Sequence, residues 1–305
     1  MLTVSNYHYI RPNFNTKFPS IFGITPDAFK NQLTLLKNKN EFVSSVDLIA
    51  NLDTILASKT NYFFVTFDDG LKEQYNYALP ILEELQIPAV LFANSRNYEA
   101  KKVSTVHKIH LLRSIISPSD FLKNISNQSV ISFTEEDKNK AKNIYIYDDN
   151  ESALIKYLLN FKIDFNLQEE IIKKVFDDFF EEEKVLEELY LSEQEIKNLS
   201  KHSFLGSHTH NHFPIGLLKE NEIKFELEKS KLYFENLTKT KIEMVAYPYG
   251  TPEACTNQVA TIAKKVGYKL GFTTTKGSNT NDANTLLLNR FDCNDLIGGK
   301  NYKEV

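Results

Sequence analysis

The chain has 305 residues, 42% hydrophobic and 25% charged, with a formal net charge of −4. That balance is ordinary for a globular protein of one large α/β domain or two smaller ones, and its mild acidity argues against a nucleic-acid binder, which carries a basic stripe. No stretch approaches the length of a membrane span, and the start MLTVSNYHYIRP lacks the basic and apolar regions of a secretory signal, so a cytoplasmic protein is expected.

In chain order, short apolar runs alternate with helical patterns. Leu2 to Ile10 reads as a strand. Thr25-Pro26-Asp27 reads as an N-cap, a proline at the first helical position and an acidic first turn, and Phe29, Leu33 and Leu36 follow at helical spacing. Phe63 to Phe67 is strand-like, Tyr77 to Leu85 helical despite Pro80, and Ala89 to Phe92 the next strand. Further on, Phe204 to Ser207, Met244 to Tyr247 and Leu270 to Thr274 read as strands, with Glu220 to Leu237 and Glu253 to Val266 as helices between them. Such alternation predicts a parallel sheet, open or closed.

From approximately 95 to 200 the rhythm changes. Ile171, Ile172, Val175, Phe176, Phe179 and Phe180 recur with a helical period among acidic residues, the pattern of a packed stripe under a solvated face. This segment is expected to be a mostly helical insertion within a single catalytic domain spanning 1–305. Cys255 and Cys293 are far apart and form no CxxC pair, which disfavours a thiolate zinc site and suggests reduced, partly buried thiols.

Three stretches carry chemistry. In FFVTFDDG a strand-like run ends on Asp68 and Asp69, whose side-by-side charges call for a bound cation or a shared proton. In GSHTHNH, His208 and His212 stand at i, i+4; on a helical turn they would share one cation, with His210 pointing elsewhere. Two imidazoles and one carboxylate make a three-ligand site with an open position, the pattern of catalytic zinc, and leave the second carboxylate to act as a base. The third stretch, VAYPYG, ends a strand at a proline and a glycine and by itself predicts a turn.

TFDDG, then HTxxH, then YPYG, in this order and on strand ends, resembles the polysaccharide deacetylase family, the NodB-homology or carbohydrate esterase family 4 group. The resemblance covers most of the chain. It implies a distorted (β/α)7 barrel with its site at the C-terminal strand ends. It also implies one divalent metal, zinc or else cobalt, nickel or iron. Carried over residue by residue, Asp68 is the general base, and Asp69, His208 and His212 are the metal ligands. Thr209 holds the histidine loop. The Tyr249 N–H binds the oxyanion, and Pro248 with Tyr249 forms one wall of the substrate groove.

The chain departs from the chitin and peptidoglycan members in three ways. Ala246 stands where they carry an arginine that orients the base. Their tryptophan motif has no counterpart, because the chain has no Trp. Their late leucine–histidine motif is replaced by Leu286-Leu287-Leu288-Asn289-Arg290-Phe291, and no histidine follows His212. The N-terminal Asn6-Tyr7-His8-Tyr9-Ile10 resembles instead the poly-N-acetylglucosamine deacetylase branch, whose circularly permuted barrel takes its acid histidine from the first strand. This makes His8 the candidate acid, the alternative being a histidine packed among aromatics. Arg290 is a candidate replacement for the missing arginine, or else one half of a surface or C-terminal ion pair.

The expected activity is metal-dependent removal of an N-acyl group, acetyl or formyl, from an amino sugar or glycan precursor. Two readings compete with it: a same-fold amidase or cyclic-imide hydrolase of a small non-sugar amide, and a non-catalytic carbohydrate-binding barrel.

Overall fold

A strand covered on both faces needs a near-continuous apolar run rather than alternation, and Tyr62–Phe67, interrupted only by Thr66, is such a strand. The computed structural model describes residues 1–128, 133–146 and 148–303. In chain order the strands are Leu2–Tyr7 (β1), Tyr9–Ile10 (β2), Gly23–Ile24 (β3), Glu41–Phe42 (β4), Tyr62–Phe67 (β5), Ala89–Ala93 (β6), Leu205–Ser207 (β7), Met244–Ala246 (β8), Leu270–Phe272 (β9) and Phe291–Asp292 (β10). The α-helices are Pro26–Lys37 (α1), Ser45–Ala57 (α2), Leu79–Leu85 (α3), Arg96–Glu99 (α4), Thr105–Ile115 (α5), Pro118–Gln128 (α6), Glu135–Ile144 (α7), Asn150–Tyr157 (α8), Phe165–Asp177 (α9), Glu182–Leu189 (α10), Glu193–Lys201 (α11), Glu220–Thr238 (α12) and Asn257–Val266 (α13).

The chain forms two compact units. The first comprises Met1–Asn13, Gly23–Lys102 and the chain from Leu186 onward; the second comprises Phe14–Phe22 and Val103–Val185. In the first unit the main sheet runs β10-β1-β5-β6-β7-β8-β9, with β4 added beside β5 and every pairing parallel. Leu288 bridges Phe272 of β9, and Phe291 and Asp292 pair with Ser5 and Asn6 of β1. One short stretch thus touches both ends of the curl, giving the distorted (β/α) barrel that the motifs imply. The first strand sits between the aspartate strand and the C-terminal stretch.

Period-2 alternation sorts the strand side chains. Leu2, Val4, Phe64, Val90, Phe92, Met244, Ala246, Phe272 and Leu288 pack on one face. Tyr7, Phe63, Val65, Phe67, Leu91 and Val245 pack on the other, with Phe29 and Leu33 of α1, Leu82 of α3, Leu199 of α11, Leu227 of α12 and Val259 of α13. Thr66 and Asp68 follow the parity of Phe64, so the strand that builds the apolar interior also delivers the aspartate to its mouth.

Local signals set most boundaries. The Thr25 hydroxyl accepts from the Ala28 N–H, with Pro26 next to it in the first turn of α1. The run Leu2 to Ile10 is not one strand. It breaks at His8, after which β2 pairs with β3 in a separate two-stranded sheet. The expected helix over Tyr77 to Leu85 divides into a π-turn over Gln74–Ala78 and then α3. Pro80 lacks an N–H and falls in the first turn of α3, where none is needed. The helix expected from Glu253 starts at Asn257, because Thr256 caps it by accepting from the Val259 N–H.

The second unit is helical. Ile171, Ile172, Val175 and Phe176 of α9 are buried, but α9 ends at Asp177, so Phe179 is exposed and Phe180 stacks back on Phe176. The buried Lys108 pairs with Glu182 at 2.7 Å and lies 5.1 Å from the Phe176 ring. This unit is narrower than the stretch of changed rhythm: α11 packs into the core of the first unit through Ile196 and Leu199. Cys255 and Cys293 are free and buried, and burial pushes both thiols up to about 12.

Candidate active site

Asp68 and Asp69 leave β5 at its C-terminal end. The Asp68 N–H still donates to Tyr7 O at 3.0 Å, and Asp69 then turns sharply with φ 77, followed by Gly70 at φ 61. A left-handed aspartate costs about 1–2 kcal/mol, and here it points the two neighbouring carboxylates in different directions. Gly70 has no alternative: a Cβ there would lie 2.8 Å from Ala93 Cβ.

Asp69 faces the histidines. Its Oδ1 lies 3.5 Å from His208 Nε2 and 3.2 Å from His212 Nε2. The three ligand atoms lie within 4.8 Å of one another, and all three side chains are at most 9% exposed. Tetrahedral coordination with bonds of about 2.0–2.2 Å spaces donor atoms by about 3.3–3.6 Å, so this donor set fits a small divalent cation such as zinc. The tautomer of His208 fits as well. Its Nδ1 meets the Ala246 carbonyl at 2.8 Å, and a carbonyl only accepts, so Nδ1 carries the proton and Nε2 keeps its lone pair toward Asp69.

The expected helical turn through the histidines is absent. Residues 208–212 form an irregular loop in which Thr209 (φ 63) and His212 (φ 61) are left-handed. The imidazoles meet by loop geometry, with ring centroids 5.0 Å apart, and not by helical spacing.

Asp68 faces a different partner. Arg290 Nη1 donates to Asp68 Oδ1 at 2.8 Å and Nη2 to Oδ2 at 2.7 Å. The guanidinium is itself fixed, Nη1 donating to Thr66 Oγ1 at 3.1 Å and Nε to Thr273 O at 2.7 Å. Arg290 therefore pairs with Asp68 in the interior and not at the surface, with its side chain 0% exposed. Burial pushes the Asp68 carboxyl up, but Arg290, with His208 and His8 adding to it, outweighs burial and holds it below its ordinary value. His8, where β1 breaks, reaches Asp68 Oδ2 with Nε2 at 3.9 Å and is 38% exposed.

After β8, Tyr249 is left-handed (φ 63) and exposed, its ring centroid 5.5 Å from that of His212. Pro248 is buried, so of the two expected wall residues Tyr249 presents the surface. The motifs gave no hint of Gln74 or Asn94. Gln74 donates to both His8 O (3.0 Å) and Asp68 O (2.6 Å), tying the two catalytic candidates through their backbones. Asn94 donates from its amide to His208 O. Only the π-turn beginning at Gln74 marks it, and that is invisible in a linear sequence.

Fold and site together define a parallel α/β barrel with a carboxylate–imidazole centre at the C-terminal ends of its strands. The family model for polysaccharide deacetylase matches residues 57–128 and 164–271, more than half of the chain. The chain belongs to the polysaccharide deacetylase family. YxkH of Bacillus subtilis (strain 168), whose name places it among the polysaccharide deacetylases, is 28% identical over 114 residues, 37% of this chain and 40% of that protein. The Streptococcus pyogenes deacetylase PplD, solved in complex with acetate, is similar with a TM-score of 0.57 at 18% identity, over 95% of this chain and 91% of that one. IcaB from Ammonifex degensii is similar with a TM-score of 0.56 at 19% identity, over 95% and 90%. At such identities these structures show a shared fold.

Proposed function

We propose that the chain is a metal-dependent hydrolase that removes an N-acetyl or N-formyl group from an amino sugar or glycan precursor. The observation that carries this reading is the convergence of Asp69, His208 and His212 beside a second aspartate, Asp68, held ionised by Arg290. Family membership and the acetate held by PplD support the acyl-transfer chemistry.

Asp69, His208 and His212 would hold one divalent cation, zinc or else cobalt, nickel or iron. When bound, the cation supplies Lewis acidity, acidifying water and polarising the acyl carbonyl. Asp68 takes the proton from the water as its oxygen bonds to the acyl carbon. The Tyr249 N–H stabilises the tetrahedral oxyanion. His8, protonated, gives its proton to the sugar nitrogen as the C–N bond breaks, because an amine leaves poorly unless protonated. A carboxylic acid and a free amine result. Tyr249 forms the exposed wall against which the sugar packs.

The test is release of acetate or formate from a panel of N-acylated sugars, oligosaccharides and simple amides, with and without chelator. Chelator-sensitive release from the sugars is expected. Turnover of simple amides alone would transfer the site to a small-molecule amidase. Sugar binding with neither bound metal nor hydrolysis would leave a carbohydrate-binding barrel.

A further inference from the structure

The helix after the histidine loop carries an acidic side chain where its sequence pattern calls for an apolar residue. The buried stripe of α12 is Ile223, Glu226, Leu227, Ser230 and Phe234, and Glu226 is only 2% exposed. A carboxylate is almost never buried this deeply without partners. Its partners all lie in the histidine loop: Oε2 accepts from the His210 N–H at 3.1 Å and the Asn211 N–H at 2.7 Å, and Oε1 accepts from the Asn211 side-chain amide. Two successive backbone N–H groups converging on one oxygen form an anion-binding concavity, filled here by the protein's own carboxylate.

The two residues bound this way lie between Thr209 and His212, the two left-handed positions of the loop. A threonine resists that conformation because of its branched Cβ. From the other side Ser95 holds the same segment: its Oγ meets His210 Nδ1 at 2.8 Å, and its N–H donates to Thr209 O at 3.3 Å.

We infer that Glu226 is a positioning residue for the metal site: its buried carboxylate holds residues 210 and 211 in the turn that aims His208 and His212 at Asp69. The inference rests on the reading of those three residues as cation ligands. The hydrogen bonds of Glu226 go to residues 210 and 211, so it acts through the loop.

The test uses the full chain, stripped of metal, with zinc affinity measured by competition against a chromophoric chelator and site geometry by the visible spectrum of bound cobalt. Glu226→Gln keeps the size of the side chain but turns an amide toward donors that need an acceptor. It is expected to fold, to bind zinc about 10–100-fold more weakly and to alter the cobalt spectrum, while Glu226→Asp recovers part of the affinity. Zinc affinity within about twofold of wild type, with an unchanged cobalt spectrum, would overturn the inference and leave Glu226 a fold residue. Should Glu226→Gln fail to fold, Asn211→Ala, which deletes one contact and spares Glu226, decides on the same two readouts. A wild-type protein that binds no zinc or cobalt overturns the metal reading itself, an outcome distinct from a variant matching a competent wild type.

Discussion

Arg290 and Asp68 meet through two charge-assisted hydrogen bonds where neither reaches solvent. Such a pair adds little net stability, but breaking it strands a buried charge at a cost of about 3–5 kcal/mol. Its effect is on the protonation state of Asp68, the proposed base. With its folded pKa below the ordinary 3.8, Asp68 contributes stability that is present above that value and lost as pH falls through the folded pKa. Arg290→Gln is expected to raise the Asp68 pKa, so the acidic limb of kcat/KM moves to higher pH; an unmoved limb would remove Arg290 from the base's control. Asp68→Asn is expected to lower kcat by about 10²–10⁴-fold while zinc still binds, a general base's contribution. His8→Gln should cost about 10²–10⁴-fold on an N-acyl sugar but far less on an activated aryl ester, whose leaving group needs no proton. Equal losses on both substrates would count against His8 as the acid.

At the level of elements, His8, Asp68, Asp69, the histidine loop and Tyr249 follow the ends of strands, Arg290 leads into β10, and the turns are backbone-specific. β1 ends at Tyr7 and the chain crosses to another sheet, which leaves His8 at the break beside Asp68. β5 ends at Phe67, and Asp69 and Gly70 take left-handed conformations that swing the second carboxylate toward the histidines. Gly70→Ala combines an unfavourable φ with a contact at 2.8 Å to Ala93. It is expected to cost about 1–3 kcal/mol in a denaturant melt and to weaken zinc binding, because relief of the clash displaces Asp69.

For the whole molecule, the proposed metal site would couple cation binding to the fold. A cation bound only by the folded chain at 100 times its Kd adds about 2.7 kcal/mol of stability. Chelation is expected to lower Tm and abolish turnover, and added zinc or cobalt to restore both. Burial pushes the metal-free His208 down, but Asp68 and Asp69 outweigh it and leave its pKa raised. The sign follows. The proton stabilises the metal-free fold below the ordinary His value and is lost as pH rises through the raised one. Zinc competes with that proton, so the gain in Tm from zinc should shrink as pH falls from about 8 to 5. A gain that grew toward acid would contradict ligation by neutral imidazole.

The linear order of residues was enough for the family and the barrel, because FDDG, HTHNH and YPYG are short motifs whose chemistry depends on residues adjacent in the chain. It was also enough for the caps at Thr25 and the apolar stripe of α9, since both arise within one helical turn. It could not distinguish an Arg290 that holds Asp68 from a surface ion pair, because that contact joins residues 222 positions apart. Nor could it show that the histidines meet in a left-handed loop held by a glutamate, when their spacing matches a helical turn equally well. Local propensity writes motifs and caps into sequence, whereas the meeting of side chains from β1, β5, β7, β8 and the approach to β10 exists only once the sheet has curled and brought their ends together.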